Sequence, residues 1–239
     1  MKNARITLLI IALLFVQSVS YSQSRQRWSF GPRVGLNLTN FVGSDAVNEQ
    51  RNAIDPDSRD NQLLPGLSAG VGFIYSDVSR FGAAVDLLYS QRGVQSKTNL
   101  GSVATTYTNR INYLELPITA RYFLNRSGNF RPNVFFGVVP ALRLNAYTRE
   151  KAADGKDVKT VTTDLYRSAD LGLTAGFQAN FRVGDRQRFT ADARYTHGIT
   201  NVAVNSTDLR NQMITIGLGY NFGIGRQYQP GDRKLPIRN

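Results

Sequence analysis

The chain has 239 residues, 41% of them apolar and 19% charged, and 29 Lys and Arg face 17 Asp and Glu for a net charge of +12. A mean hydropathy of −0.28 excludes a bundle of membrane helices, and the wealth of Tyr, Phe, Val, Leu and Ile excludes a disordered chain. The absence of cysteine excludes a disulfide scaffold, a thiolate metal site, a Cys nucleophile and a lipidated amino-terminal Cys, while the charge raises the question of an acidic partner.

The first segment, 1–22, reads as a secretory signal peptide. Lys2 and Arg5 precede an apolar run over 6–16, and Ser20 and Ser22 stand at −3 and −1 of a cleavage before Gln23. The run is about half the ~20 residues that a spanning helix needs, which argues against a membrane anchor. Without Lys2 and Arg5 the net charge is +10.

From Trp28 onward the pattern has period two, the signature of strands with one apolar and one polar face. In chain order the segments are 28–38, 67–76, 81–92, 112–124, 133–145, 167–183, 189–199 and 211–222. The first sets Trp28, Phe30, Val34, Leu36 and Leu38 on one face, and the third Phe81, Ala83, Val85, Leu87 and Tyr89. The sixth alternates most cleanly, with Leu171, Leu173, Ala175, Phe177, Ala179, Phe181 and Val183 on one side. The last gives Ile214, Ile216, Leu218, Tyr220 and Phe222. Such lengths exceed those of average soluble strands and match the ~9–11 residues of a tilted membrane strand.

The connections alternate. Tight turns fall near 77–80, 125–129 and 184–188, and longer polar stretches near 39–66, 93–111, 146–166 and 200–210. All turns therefore share one end and all loops the other, as in an outer-membrane barrel. Aromatic residues such as Trp28, Phe30, Tyr75, Phe81, Tyr122, Phe181 and Phe189 gather at the turn side, where a girdle belongs. A soluble lipocalin-like barrel would point its apolar face inward and needs no such ring. The expected fold is all-β: an eight-stranded antiparallel up-and-down transmembrane β-barrel over 23–223, behind the signal peptide and ahead of a flexible basic periplasmic tail over 224–239.

The wording of the strands adds a family. FGPRVGLNLTNF at 30–41, RYTHGITNV at 194–202 and ITIGLGYNFG at 214–223 resemble the first, seventh and closing strands of the PorT-like outer-membrane β-barrel proteins, and YLELPITARYFL at 113–124 resembles that family's most recognisable motif. The resemblance implies a barrel in the outer membrane without a catalytic motif. PorT itself is linked to a secretion system that exports proteins across that membrane, a role that strand motifs do not transfer.

With apolar faces outward, the polar faces line the lumen. They carry Arg33, Arg92, Arg121, Arg143, Arg182 and Arg194 against Asp86, Glu115, Asp170 and Asp192. Eight strands leave room only for side chains, so these ten should form a charge network, with the arginine excess hydrated or held by an anion. The network reads as a structural plug, with a narrow gated ion path as the alternative.

His197 is the sole histidine, so a multi-histidine metal site is impossible. Ser206 and Asp208 follow it at no triad spacing. Asp45, Glu49, Asp55, Asp57 and Asp60 match no EF-hand and read as a solvated acidic loop. Pro32, Pro117 and Pro140 should mark bulges or strand ends, with the facing least settled around Pro117. No cofactor or metal is expected.

The function expected is that of a non-enzymatic envelope component or assembly partner. A lipid-modifying enzyme using His197, Ser206 and Asp208, or a surface adhesin using the four loops, are the alternatives. The expected partners are outer-membrane lipid, the barrel-assembly machinery and an envelope protein, with no nucleic acid.

Overall fold

Inward and outward sets of side chains separate along every wall strand of the computed structural model. It describes residues 27–46, 60–76, 80–100, 103–125, 128–152, 155, 157–184 and 186–224. The leader, the tail beyond 224 and Glu49, Asp55 and Asp57 lie outside the described residues.

The strands are β1 (Arg27–Val42), β2 (Asp60–Gln62), β3 (Leu64–Ser76), β4 (Phe81–Leu100), β5 (Val103–Glu115), β6 (Ile118–Phe123), β7 (Asn133–Ala152), β8 (Asp157–Val161), β9 (Ala169–Arg182), β10 (Gln187–Gly198) and β11 (Arg210–Ile224). A 3-10 turn, Thr163–Leu165, sits between β8 and β9. β1 pairs with both β3 and β11, and antiparallel pairing continues through β4, the β5/β6 position, β7, β9, β10 and β11. β4 pairs with β6 in its first part and β5 in its second, so β5 and β6 occupy one place in the wall. The ring therefore has eight positions, each next to its neighbours in sequence.

Exposure decides which way the barrel faces. Leu36 is 63% exposed and Phe136 58%, whereas Arg92 is 1% and Gln178 0% exposed. A water-soluble barrel would reverse those values; this one is apolar outside and polar inside. From Trp28 to Leu38 the outward ladder runs ten residue steps. At ~3.3 Å per residue and a tilt of ~40°, that covers about 25 Å, the height of a membrane band. The girdle closes around the turn side through ring pairs such as Trp28–Tyr75 at 4.9 Å, Phe81–Tyr122 at 5.4 Å and Phe130–Phe181 at 5.1 Å. Trp28 opposes Ile224, which brings the first and last strands together at that rim.

The long polar connections are not all loops. β4 runs on to Leu100, and β5 returns from Val103 in unbroken register. β7 reaches Ala152 and turns back as β8, while β2 lies against β4. The expectation of loops over 93–111 and 146–166 is corrected to a β wall standing beyond the membrane band. Its residues are β formers such as Thr105, Thr106 and Tyr107, but water wets both faces there, so no apolar alternation is required.

Pro117 marks the gap between β5 and β6 and keeps its lumenal parity. Its carbonyl accepts from Asp86 N at 3.0 Å, and Leu116 N donates to Pro140 O at 2.9 Å, so the wall stays bonded across the gap. The irregularity in register falls instead between Asn112 and Tyr113, opposite Arg143–Asn145.

Candidate functional site

The lumen is filled in two charged layers beneath an apolar cap. Near the turn side, Arg33 on β1 donates Nη1 to Thr190 Oγ1 at 2.7 Å and Nη2 to Asn221 Oδ1 at 3.0 Å. Its Nε lies 3.7 Å from Asp86 Oδ1, and Arg194 Nη1 lies 3.7 Å from Asp86 Oδ2. Arg194 also grips Asp192 Oδ1 through Nη2 at 2.7 Å. Arg121 donates to Gln178 Oε1, and the guanidinium groups of Arg121 and Arg194 lie 5.1 and 5.7 Å from the Phe135 ring.

This packing needs the missing side chains of glycine. A β-carbon at Gly219 would come within 2.0 Å of Arg33 Nη1, and one at Gly72 within 2.3 Å of Asp86 Oδ1. The period-two pattern places those glycines on the lumenal face, and the arginines fill the space they leave.

The second layer is nearer the loops. Arg92 joins Glu115 Oε1 at 2.8 Å and Asp170 Oδ2 at 3.0 Å. Asp170 accepts further hydrogen bonds from Asn211 Nδ2 at 2.8 Å and Thr200 Oγ1 at 2.6 Å. The lower layer holds three arginines and two aspartates, the upper one arginine and two carboxylates, so their opposite imbalances cancel. A cavity of about 20 Å³ where the layers meet is lined by Arg33, Asn37, Ser90, Glu115, Asp192 and Arg194. That admits a water molecule and falls far below the several hundred Å³ of a ligand pocket.

Two members of the expected network are corrected. Arg182 is the last residue of β9, where the strand leaves the closed lumen; it is exposed and donates Nε to Gly184 O at 3.2 Å. Arg143 sits at the irregularity in register, half-buried, and turns up to the carbonyls of Thr163 and Tyr166. The arginine excess inside therefore shrinks without an anion. Arg131 was not anticipated because it lies outside any periodic segment. It is buried at the turn-side mouth, 4.3 Å from the Phe123 ring, and donates Nε to Asn125 O at 3.3 Å.

Above the upper layer, Phe41, Val94, Ile111, Tyr113, Val202 and Leu209 form a buried apolar cluster. Val202 and Leu209 belong to the last connection, which folds back into the mouth with Val202 N bonded to Leu209 O at 2.8 Å. Tyr166 packs against this cap, its ring 6.3 Å from that of Phe41.

A clasp holds the cap. The Asp45 carboxylate accepts from Ser206 Oγ at 2.7 Å, Thr207 N at 2.6 Å and Asp208 N at 2.8 Å. Asp208 Oδ2 in turn accepts from Ser44 N at 3.1 Å, and Asp208 Oδ1 lies 2.9 Å from Arg210 Nε. His197 instead stacks on Tyr195, with Nδ1 3.4 Å from its hydroxyl. Ser206 and Asp208 are thus drawn to Asp45, and His197 to the outer wall. Among the described residues no His, Cys, Asp and Glu cluster could hold a metal.

The Ser206 hydroxyl, followed by the Asp208 and Thr207 backbone N–H groups, holds the Asp45 carboxyl well below the usual carboxylate range. A depressed folded value means that folding favours the ionised form. The resulting stabilisation is complete above an unfolded Asp value of about 3.9 and is lost only as pH falls through the folded value. Wild type and Asp45→Ala should therefore differ in hydrogen exchange over 201–209 at neutral pH and converge only in strong acid. Convergence already near pH ~5 would contradict the clasp.

A family model described as outer membrane protein beta-barrel domain matches residues 18–204. No curated protein matches the chain. Among solved structures, the outer membrane protein OprG from Pseudomonas aeruginosa is 10% identical with a TM-score of 0.48, over 85% of this chain and 98% of that one. Neisserial surface protein A is 14% identical with a TM-score of 0.41, over 81% and 96%. Ail, the attachment invasion locus protein of Yersinia pestis, is 13% identical with a TM-score of 0.39, over 82% and 99%, in a complex with the heparin analogue sucrose octasulfate.

Proposed function

The chain belongs to the outer membrane protein beta-barrel domain family, and from that premise we propose that it is a closed, non-catalytic barrel of the PorT-like kind, an envelope component that presents its loop-side β wall to a protein partner. The observation that carries this reading is the double closure of the lumen. An apolar cap lies over ion-paired layers, and the cavity where the two layers meet is water-sized. A barrel built to pass solutes would line a continuous wet path instead.

The wall formed by β4, β5, β7 and β8 beyond the membrane band offers an extended, rigid surface, as a partner-binding element needs. The motifs at 30–41, 113–124, 194–202 and 214–223 all lie in or at the ends of wall strands, which supports the finer family assignment. The lipid-modifying alternative draws no support from the separate engagements of His197 and Ser206.

The reading is tested by planar-bilayer recording of the purified protein together with co-purification from detergent-solubilised envelopes. The expected result is no steady ion conductance, with capture of an envelope protein that is lost when 95–108 is replaced by a two-residue turn. Steady conductance, or capture indifferent to that exchange, would reject it.

A further inference from the structure

Charge is sorted by face in the wall that rises beyond the membrane band. Register sets three outward rows across β5, β7 and β8: Arg110, Tyr147 and Val161; Thr108, Arg149 and Lys159; Thr106, Lys151 and Asp157. The top row continues on β4 to Lys97, which faces Asp60 of β2. On β5 these positions share parity with the lipid-facing Leu114, and on β7 they alternate with Ala146, which is buried in the cap. The outward rows thus hold five basic groups against two acidic ones. Glu150 of β7 has the inward parity and accepts from the Tyr107 hydroxyl at 3.2 Å.

Going outward from the membrane, the rows pass from apolar and aromatic to basic. Val161 is 77% exposed and stands opposite Tyr147. Lys159 Nζ lies 4.0 Å from the centroid of the Tyr147 ring, a cation–π contact that leaves the ammonium open to a second partner. Arg110 is anchored to the wall, with Nη1 on Gln91 Oε1 at 2.7 Å and Nη2 on Pro65 O at 3.0 Å. Arg149 donates Nε to Asp157 Oδ1 at 2.8 Å. With that pair counted, the face keeps a positive excess, and it is carried on paired strands rather than on a loop.

Height chooses among anionic ligands. Leu114 is the last lipid-facing apolar residue of β5, and Arg110, Thr108 and Thr106 follow it at four, six and eight residue steps. At ~3.3 Å per residue and a tilt of ~40°, the three rows stand about 10, 15 and 20 Å beyond the hydrocarbon. A phospholipid headgroup layer is only ~5–8 Å deep. A lipid that reaches all three rows therefore carries its anionic groups on an extended headgroup, as a phosphorylated saccharide does. The outward parity aims the face at neighbouring lipid, and the loop side of an outer-membrane barrel stands in the outer leaflet.

We propose that the outward face of β5, β7 and β8 binds the phosphorylated saccharide headgroup of an outer-leaflet glycolipid, with Arg149, Lys151 and Lys159 meeting its phosphates. Tyr147 and Val161, in the lowest row, pack where the sugar joins the acyl chains, the level at which aromatic rings favour a membrane interface. The Arg149 fork turns one edge to Asp157 and keeps further N–H donors for phosphate oxygens. The site uses only the outward face. It leaves the inward face and the strand edges to a protein partner, so either reading can fail alone.

The test uses the full chain in neutral detergent, with retained lipid counted by native mass spectrometry. The probes are a lipopolysaccharide truncated to phosphorylated lipid A and inner-core sugars, the same molecule after phosphatase treatment, and phosphatidylglycerol. Wild type should retain the phosphorylated glycolipid above both others, and added salt should weaken that preference. A basic group near an anionic surface contributes about a fivefold gain, so the triple variant Arg149→Gln, Lys151→Gln, Lys159→Gln should lower the preference at least tenfold. The turn-side triple Arg80→Gln, Arg182→Gln, Arg186→Gln, at the other end of the barrel, should leave it unchanged. Folding of each variant is checked by the mobility of unheated protein on a gel. Should the loop-side triple not fold, Lys151→Gln with Lys159→Gln, which keeps the Arg149–Asp157 pair, should show a partial loss. Equal retention of phosphorylated and dephosphorylated glycolipid by wild type, or equal loss in both triples, would overturn the proposal. Phosphatidylglycerol retained as well as the glycolipid would overturn the saccharide assignment. An acidic protein captured through these residues, with glycolipid retention untouched in the triple, would overturn it in favour of a protein ligand.

Discussion

Replacing Arg92 with methionine is expected to cost the folded barrel about 3–5 kcal/mol, because it strands two buried carboxylates. Arg92 is 1% exposed and lies between Glu115 at 2.8 Å and Asp170 at 3.0 Å. Methionine has a comparable length but no charge, so the loss is electrostatic rather than a cavity. The sole tryptophan, Trp28, sits in the girdle and reports unfolding from the membrane by fluorescence during a urea titration in vesicles. Adding Glu115→Gln and Asp170→Asn to Arg92→Met should recover most of the loss, since the uncompensated charges then disappear. A change below ~1 kcal/mol in the single variant would mean that water already solvates the two carboxylates. The Arg149–Asp157 pair on the wetted wall makes the contrast: its removal should leave the midpoint where it was.

Arg92 also shows how far a sequence carries. Period two places it on the lumenal face with Glu115 and Asp170, because adjacent residues in a strand must face opposite ways. The same parity misleads at both corrected residues. Arg182 has lumenal parity but stands where the strand has left the lumen, and Arg143 keeps that parity just before a change of register at Leu144 that no local pattern marks, where backbone carbonyls rather than carboxylates meet it. The wall beyond the membrane was hidden for a different reason. Lipid imposes an apolar face and thereby writes the alternation, and Thr105 or Tyr107, wetted on both sides, carries no such mark. The cap was least legible of all. Phe41, Ile111, Val202 and Leu209 are isolated apolar residues in separate polar contexts, and only closure of the ring brings them together.

The cap and the charged layers stand in series, and Val202→Asp separates their roles. Val202 is 1% exposed among apolar neighbours, so an aspartate there would bury a charge without a partner and disfavour the closed mouth by about 3–5 kcal/mol. The last connection should then leave the mouth, and its amides over 201–209 should lose several hundredfold or more of their protection from hydrogen exchange, while the wall strands keep theirs. Loss of protection in β9 and β10 as well would mean that the cap holds the wall together rather than covering it. Ion conductance should stay at baseline in this variant, because Arg92 still joins Glu115 and Asp170, and Arg33 and Arg194 still flank Asp86 below them. Conductance that appears with Val202→Asp alone would make the cap a gate over a conducting lumen. Conductance that appears only when Arg33 and Arg194 are also replaced by alanine would make the layers the seal and the cap a cover, the arrangement that a barrel working through its outer wall requires.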